Sequence, residues 1–426
     1  MPAYDVIVVG SGPAGATAAY CLGAAGRRVL VLEKAHLPRY KACGGGLSVR
    51  MLASHFPFAF DPVIEARVRR VAFGLGDRLV HVPLTDDAVC TVMRDRLDAY
   101  ILDHARADVL QDIVVDRVIE GPDTVRVIGK DGRAFEGRFV VGADGANSTV
   151  ARSVGLRRGK TTAAAIEVEA PASPEVLRRF GDALCFIFGE VPFGYLWIFP
   201  KAEHLSVGIG ALRPRPGQLQ ATLRRVMARY GVSFDDVPLH GHPIPIYLRK
   251  ERLATRRVAL VGDAAGLADP VTGEGIRLAI KSGRLAAAAI EANALDRYER
   301  DVFRQIGRSH ALGTGLAWLF CTFPRAWFRV GAGNPLITQA FVDMLSDRAG
   351  YGLTALVVFG STPVYLALEA ALGMVGAVLG RDRAYRLRRA ARLGVASPID
   401  RRPRGADTAS YGAVDQAPSM TMAREG

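Results

Sequence analysis

The sequence predicts an α/β protein. A parallel, helix-covered sheet is joined to an antiparallel sheet and to a helical C-terminal region. Three observations predict this. A β-branched run at 4–9 is followed by a glycine-spaced turn, an alanine-rich stretch and a second apolar run at 28–32. From 157 to 255 the chain changes to short strand-like pieces separated by turns. From 311 onward it is dense in apolar and aromatic residues. At 426 residues it is long enough for two or three domains with sizeable cores.

The first 33 residues organise the rest. Tyr4-Asp-Val-Ile-Val-Val9 suits a buried parallel strand. Gly10-Ser-Gly12-Pro13-Ala14-Gly15 follows at once, and a helix is expected over 16–25, ended by Gly26. A second buried strand at 28–32 carries Glu33 at its tip. Gly10 permits the tight turn, Gly12 lets the backbone approach a pyrophosphate, and Gly15 lets helix pack on strand. The unpaired N–H groups and dipole of the helix N-terminus favour that negative charge. Glu33, 18 residues after Gly15, can accept from ribose hydroxyls and would repel a 2′-phosphate. The site therefore wants FAD or NAD rather than NADP.

The glycine triplet Gly44-Gly45-Gly46, preceded by Cys43, suits a loop that approaches something flat or bulky. Short strands are expected over 68–90, and Arg94 stands where strand passes to helix. More strands follow over 112–141, then the tight loop Gly142-Ala-Asp144-Gly145 and a helix. The pieces 163–169, 183–188, 194–200 and 205–212 read as an antiparallel sheet covering a cavity. Tyr195, Trp197 and Phe199 share one face by the period of two, as core packing or as a ligand wall.

At 258–261 a buried strand returns and ends in Gly262-Asp263, at the strand tip where open α/β sheets bind ligands. Gly273-Glu274-Gly275-Ile276 opens a helix reaching about 289, giving a second dipole aimed at a ligand. The stretch 352–380 carries one charge, Glu369, and contains Pro363. It is expected to form two helices that pack on the protein and dip into the membrane surface rather than span it. The tail 397–426 is expected to be disordered.

Five scattered cysteines show neither disulfide nor metal spacing, and the chain enters a strand almost immediately. A reducing, cytoplasmic setting is expected, with no bound metal. The formal charge is +13, and 381–404 holds nine arginines against two aspartates. Such a block is a solvated tail or a contact for anionic lipid at the inner membrane face. No nucleic-acid motif accompanies it, so nucleic-acid binding is not expected.

Together these residues resemble the geranylgeranyl reductase family of FAD-dependent oxidoreductases, within the para-hydroxybenzoate hydroxylase-like flavoproteins. The resemblance runs over about 4–289. Gly10, Gly12, Gly15, Glu33, Arg94, the Gly142–Gly145 loop and Gly262-Asp263 carry the flavoprotein part. Lys41-Ala-Cys43-Gly-Gly-Gly46-Leu47 and Tyr195-Leu-Trp197-Ile-Phe199-Pro200 carry the prenyl reductase part. Leu47-Ser48 departs from the chlorophyll-pathway members. The implied fold is a Rossmann-like FAD-binding domain in two parts, 1–156 and 256–310, with an antiparallel-sheet substrate domain at 157–255. A helical, membrane-associated region spans 311–396, before the tail.

The resemblance implies a cofactor site of Gly10, Gly12, Pro13, Ala14, Gly15, Glu33, Lys34, Cys43, Gly44, Gly45, Arg94, Asp144, Gly262, Asp263, Gly273, Glu274, Gly275 and Ile276. Glu33 would hold the adenosine ribose, Arg94 the sugar-phosphate region and Asp263 the ribityl chain. Gly273 to Ile276 would lie along the pyrimidine side of the ring. Gly46, Tyr195, Trp197 and Phe199 would line an apolar substrate cavity. The implied reaction saturates C=C bonds of a polyprenyl lipid. The proton would come from Cys43, Tyr195 or a trapped water, with Cys43 favoured because its loop should reach the ring. No second dinucleotide fingerprint is present, so NAD(P)H, ferredoxin or a quinol could supply the electrons. Two other readings are a flavin monooxygenase and a lipid-binding flavoprotein without turnover.

Overall fold

The computed structural model describes residues 3–84, 88–157, 159, 161–248, 250–379 and 397–398. The first third contains β1 (Tyr4–Val9), α1 (Pro13–Ala24), β2 (Val29–Leu32), β3 (Gly46–Ser48), α2 (Val49–His55), β4 (Ile64–Val68), β5 (Arg70–Leu75), β6 (Arg78–Pro83), β7 (Val89–Val92) and α3 (Arg94–Asp103). Then come β8 (Asp108–Leu110), β9 (Val115–Glu120), β10 (Val125–Gly129), β11 (Ala134–Gly142) and α4 (Thr149–Ser153). The middle holds β12 (Thr161–Pro171), α5 (Pro174–Phe180), β13 (Ala183–Phe188), β14 (Gly194–Pro200), β15 (His204–Leu212), α6 (Gln218–Arg229) and β16 (His240–Ile246). The last part holds β17 (Val258–Leu260), α7 (Gly262–Ala265), α8 (Ile276–Glu291), α9 (Leu295–Val302), α10 (Arg308–Thr322), α11 (Pro324–Gly331), α12 (Pro335–Leu345), α13 (Tyr351–Leu379) and β18 (Ser397–Pro398).

The first sheet runs β8-β2-β1-β11-β10-β9, with β17 also on β11. Its centre is parallel: Val8 lies opposite both Val31 and Val141. Those strands are buried on both faces, so their sequences are continuous apolar runs. Helix α1 starts at Pro13, three residues before the expected start, because proline's fixed φ suits the first helical position. Helix α8 crosses α1 closely, with Gly283 against the Ala14 carbonyl. Residues 258–291 thus complete the layer begun at Tyr4, far away in sequence.

The second sheet runs β16-β12-β15-β14-β13-β5-β6-β18. One face is covered by α6, whose Leu219, Leu223, Val226 and Met227 pack with Val168 and Ile209. The other face carries Phe186, Tyr195, Trp197 and Phe199.

Three expectations are corrected. Strands β5 and β6, placed with 1–156, belong to the second sheet, because β5 pairs with β13. That pairing is parallel, so the sheet is antiparallel except at this junction. The four strand pieces expected between 157 and 255 form as β12 to β15, but their connections are not turns alone: α5 and α6 lie in them. The stretch expected to break at Pro363 is one helix, α13. Proline removes one backbone donor, the one that would reach the Phe359 carbonyl, and a 29-residue helix sustains the loss of that single bond. The arginine-rich 381–404 and the tail lie outside the described residues, except Ser397–Pro398, which pair with Leu79 and Arg78.

Leu223 is fully buried under the second sheet, whereas Leu356 on α13 is 70% exposed. Leu223→Ala should cost about 2–5 kcal/mol, and Leu356→Ala about 0.5 kcal/mol or less. Urea denaturation midpoints of the two variants check this.

Candidate active site

One cavity of about 730 Å³ lies between the two sheets. It brings together every site residue expected from the sequence except Gly15. Gly15 lies under the turn, where a Cβ would collide with the Gly10 carbonyl. It shapes the loop without facing the cavity. Gly10 adopts φ +97°, and a Cβ there would sit 2.5 Å from the Ala143 carbonyl oxygen.

At this end of the cavity Gly12 caps the N-terminus of α1. Two guanidiniums stand beside it: ideal Cβ positions at Gly12 lie 3.7 Å from Arg94 Nη2 and 3.8 Å from Arg39 Nη2. Arg94 is buried and makes two hydrogen bonds to Asp98, at 2.8 and 2.7 Å. Arg39 Nη1 is buried without a hydrogen-bond partner, 3.3 Å from Asp98. Glu33 accepts from the Ser11 N–H at 2.9 Å, the Ser11 hydroxyl at 2.6 Å and the Ala35 N–H at 3.1 Å. Burial raises the Glu33 pKa, but these bonds and Arg39 outweigh it and hold the carboxyl low. Glu33 therefore braces the glycine loop as well as facing the cavity.

Asp144 lines the cavity, yet its carboxylate is also occupied. It accepts from the Ser148 hydroxyl at 2.5 Å and from the Thr149 and Val150 N–H groups at the start of α4. Asp263 faces Lys41 at 3.5 Å and His242 Nε2 at 3.4 Å. Burial raises the Asp263 pKa, but Lys41, His242 and Arg94 more than reverse it, so the carboxyl stays ionised. Burial lowers the Lys41 pKa, and Asp263 opposes that. Gly273 has φ +66°, and Gly275 caps the N-terminus of α8. Burial pushes the neighbouring Glu274 carboxyl up, against Arg277 at 3.1 Å.

The other wall is aromatic. Tyr195 and Phe186 ring centroids are 5.7 Å apart, and Phe186 and Phe199 5.2 Å. The Tyr195 hydroxyl donates to the Thr272 carbonyl. A Cβ on Gly44 would meet Phe199 Cδ2 at 2.8 Å and Trp197 Nε1 at 3.0 Å, so the glycine triplet lies directly on this wall. Lys201 holds it there, donating to the Gly44 and Val92 carbonyls at 2.9 and 2.7 Å.

The residues fit FAD. A glycine cradle, a helix N-terminus, two guanidiniums and an unpartnered buried donor suit a pyrophosphate. The comparisons agree. The model of the FAD binding domain family matches residues 3–295. A digeranylgeranylglycerophospholipid reductase of Methanothermobacter thermautotrophicus is 33% identical, covering 72% of this chain and 85% of its own. The chloroplastic geranylgeranyl diphosphate reductase of Oryza sativa is 31% identical, covering 80% and 78%. The chain belongs to the geranylgeranyl reductase family. Among solved structures, a geranylgeranyl bacteriochlorophyll reductase-like protein of Thermoplasma acidophilum shares the fold, with a TM-score of 0.67, 24% identity and coverage of 84% and 95%. So does a probable FAD-dependent monooxygenase of Pseudomonas aeruginosa, with a TM-score of 0.60, 21% identity and coverage of 75% and 96%. This member of the reductase family is thus an FAD-dependent oxidoreductase.

Sequence reasoning missed Arg39, Tyr40, Glu167, Lys201, His240 and His242. Only Lys41, quoted within its motif, had a local signal. Arg39, Tyr40, Glu167, His240 and His242 reach the cavity through strand pairing and loop packing, and Lys201 supports its glycine loop from behind.

Gly10→Ala should weaken FAD retention at least tenfold, about 1.4 kcal/mol. Gly76→Ala, also at positive φ but facing open space, should keep its flavin. Visible absorbance per protein chain after gel filtration distinguishes them.

Proposed function

We propose that this protein saturates C=C bonds in the polyprenyl chain of a lipid, working at the inner membrane face. The observation that carries this is the aromatic wall. Tyr195, Trp197 and Phe199 face the same cavity as the FAD-site residues and lie against the glycine triplet.

An FAD held by these residues and reduced would supply a hydride. An isolated trisubstituted alkene cannot accept hydride alone, because no oxygen takes up the negative charge. Protonation must accompany hydride delivery, and positive charge builds on the tertiary carbon. Aromatic faces stabilise such charge by about 0.5–2 kcal/mol. The apolar residues Leu184, Phe186 and Ile244 line the same cavity and exclude water from a cationic carbon. The helix N-terminus at Gly275 and the Lys41 ammonium favour negative charge nearby, as a reduced flavin ring would carry.

Membrane contact rests on α13. Its segment Tyr351–Met374 is long and apolar enough to cross a membrane, with mean hydropathy 1.6. Leu353, Leu356, Phe359 and Val364 are all exposed. An exposed apolar helix whose first residue bonds Asp269, beside the cavity-lining Ala268 and Thr272, suits a lipid substrate that stays in the bilayer.

Reducing the flavin with dithionite under anaerobic conditions and adding prenyl lipids tests the reading. Flavin reoxidation with a gain of hydrogen pairs by mass spectrometry is expected. Unchanged lipid, with oxygen-dependent hydroxylation of another substrate, would instead support the monooxygenase. Trp197→Leu should slow lipid-driven reoxidation by about tenfold and Trp197→Phe by less, as the cation–π magnitude implies. Leu356→Glu with Phe359→Glu should reduce co-sedimentation with anionic vesicles several-fold and leave flavin content unchanged.

A further inference from the structure

We propose that Glu167 is the acid that protonates the alkene, and that Glu169 and His204 resupply its proton from solvent. This rests on the alkene-reductase reading and names the proton donor within the same site.

The placement comes from strand register. Glu167 on β12 lies opposite Gly208 on β15, and Gly208 lies opposite Trp197 on β14. On its other side Glu167 lies opposite His240 on β16. Directly opposed residues share a face. Glu167, Trp197 and His240 all line the cavity. Gly208 has no side chain, and the Trp197 indole fills the space a Cβ would take there. The proton donor and the ring suited to a developing cation are therefore cross-strand neighbours over one glycine.

Glu167 is only 2% exposed, yet it is connected. The Tyr40 hydroxyl donates to Glu167 Oε1 at 2.7 Å. Glu169 lies two residues along the same strand face, and its charge, after burial, helps raise the Glu167 carboxyl. Glu169 Oε2 lies 3.0 Å from His204 Nε2, whose side chain is 28% exposed. The chain Glu167–Glu169–His204 thus runs from the cavity to the surface. Tyr195, the hydroxyl considered from the sequence, donates to the Thr272 carbonyl.

The other charged or titratable groups facing this pair are Tyr40, with its ring 4.6 Å from His240, together with Lys201 and Cys43. Burial, then Glu169, push the Glu167 carboxyl up to about 8. Two adjacent buried carboxyls cannot both ionise cheaply, so the pair keeps a proton near neutral pH.

The step balances. The Glu167 O–H bond breaks, and its proton bonds to one alkene carbon through the π pair. The other carbon takes a hydride from the reduced flavin, which is oxidised by two electrons. Glu167 is left as carboxylate and regains a proton through Glu169 and His204 from water.

The test uses the FAD-loaded protein. Infrared pH titration should show a protonated carboxyl band that titrates near pH 8 and is absent from Glu167→Gln. An unfolded glutamate titrates near about 4.3. Between those values the folded protein holds a proton that the unfolded chain has lost. Stability should therefore fall as pH rises through this window and level off above it. Glu167→Gln should abolish that fall. Its flavin content checks folding. In single turnover with dithionite-reduced enzyme, Glu167→Gln should slow lipid reduction by about 10²–10⁴. His204→Gln should keep the single-turnover rate, slow repeated turnover and shift its pH profile.

Wild-type single-turnover rates in Glu167→Gln would overturn the proposal, as would a wild type without the titrating band. If the wild type reduces no prenyl lipid while showing the band, the alkene reading falls and the donor role falls with it. Lipid reduction that survives Glu167→Gln sinks only the donor.

Discussion

The site depends on a single buried ammonium. Lys201 follows the aromatic strand β14, is 3% exposed, and donates to the carbonyls of Gly44 and Val92. Burial lowers its pKa, and the nearby carboxylates, Glu169 first, oppose that. A charge taken out of water is costly unless hydrogen-bonded, so Lys201 has few alternative arrangements. It joins the glycine triplet and the small sheet β3-β7-β4 to the end of the second sheet. The Thr91 hydroxyl, donating to the Pro200 carbonyl at 2.6 Å, makes the same join, so the aromatic wall and the FAD-site loop are held together from both β7 and β14.

Close approach then does the rest. Gly44 leaves room for Phe199 and Trp197, and Gly208 leaves room for the Trp197 indole. Each glycine stands where an aromatic ring meets backbone. The glycines of the N-terminal turn do something different: Gly10 and Gly15 let backbone meet backbone, so that helix α1 aims its N-terminus at a phosphate. One residue type thus shapes both ends of the cavity, for two steric reasons.

What was legible in the sequence was local or carried by its own residue types. The β1–α1–β2 unit could be read because its strand, turn, helix and acid are consecutive. The wall of Tyr195, Trp197 and Phe199 could be read because a strand alternates faces. The β5–β13 pairing could not, because its partners lie about a hundred residues apart and share no local signal. Helix α6 did carry a signal, in Leu219, Leu223, Val226 and Met227 at helical spacing, but the surrounding strands masked it. Glu167 and Glu169 share one side of a strand by the period of two, and nothing local in the sequence says whether that side meets solvent or a cavity. Tyr40, which donates to Glu167, and the cross-strand neighbours His240 and Trp197 bury it. Charged residues that function in a dry cavity cannot be told, in one dimension, from surface.

The C-terminal helix and the cavity meet at one carboxylate. Asp269 Oδ1 accepts from the Val271 and Thr272 N–H groups and from the Tyr351 hydroxyl at 2.5 Å. The first two bonds shape the turn leading to Gly273 and the start of α8, on the cavity wall. The third fixes the first residue of α13, whose exposed apolar side follows. His310 of α10 lies 3.7 Å from the same carboxylate and Arg277 of α8 at 4.0 Å. A shift of α13 would therefore strain the turn that lines the cavity, and reshaping that turn would pull on α13. Coupling of this kind is reciprocal. The arrangement of Asp269 is therefore shared by α13 and the Gly273 turn. Since Thr272 also receives the Tyr195 hydroxyl through its carbonyl, that arrangement extends to the aromatic wall itself.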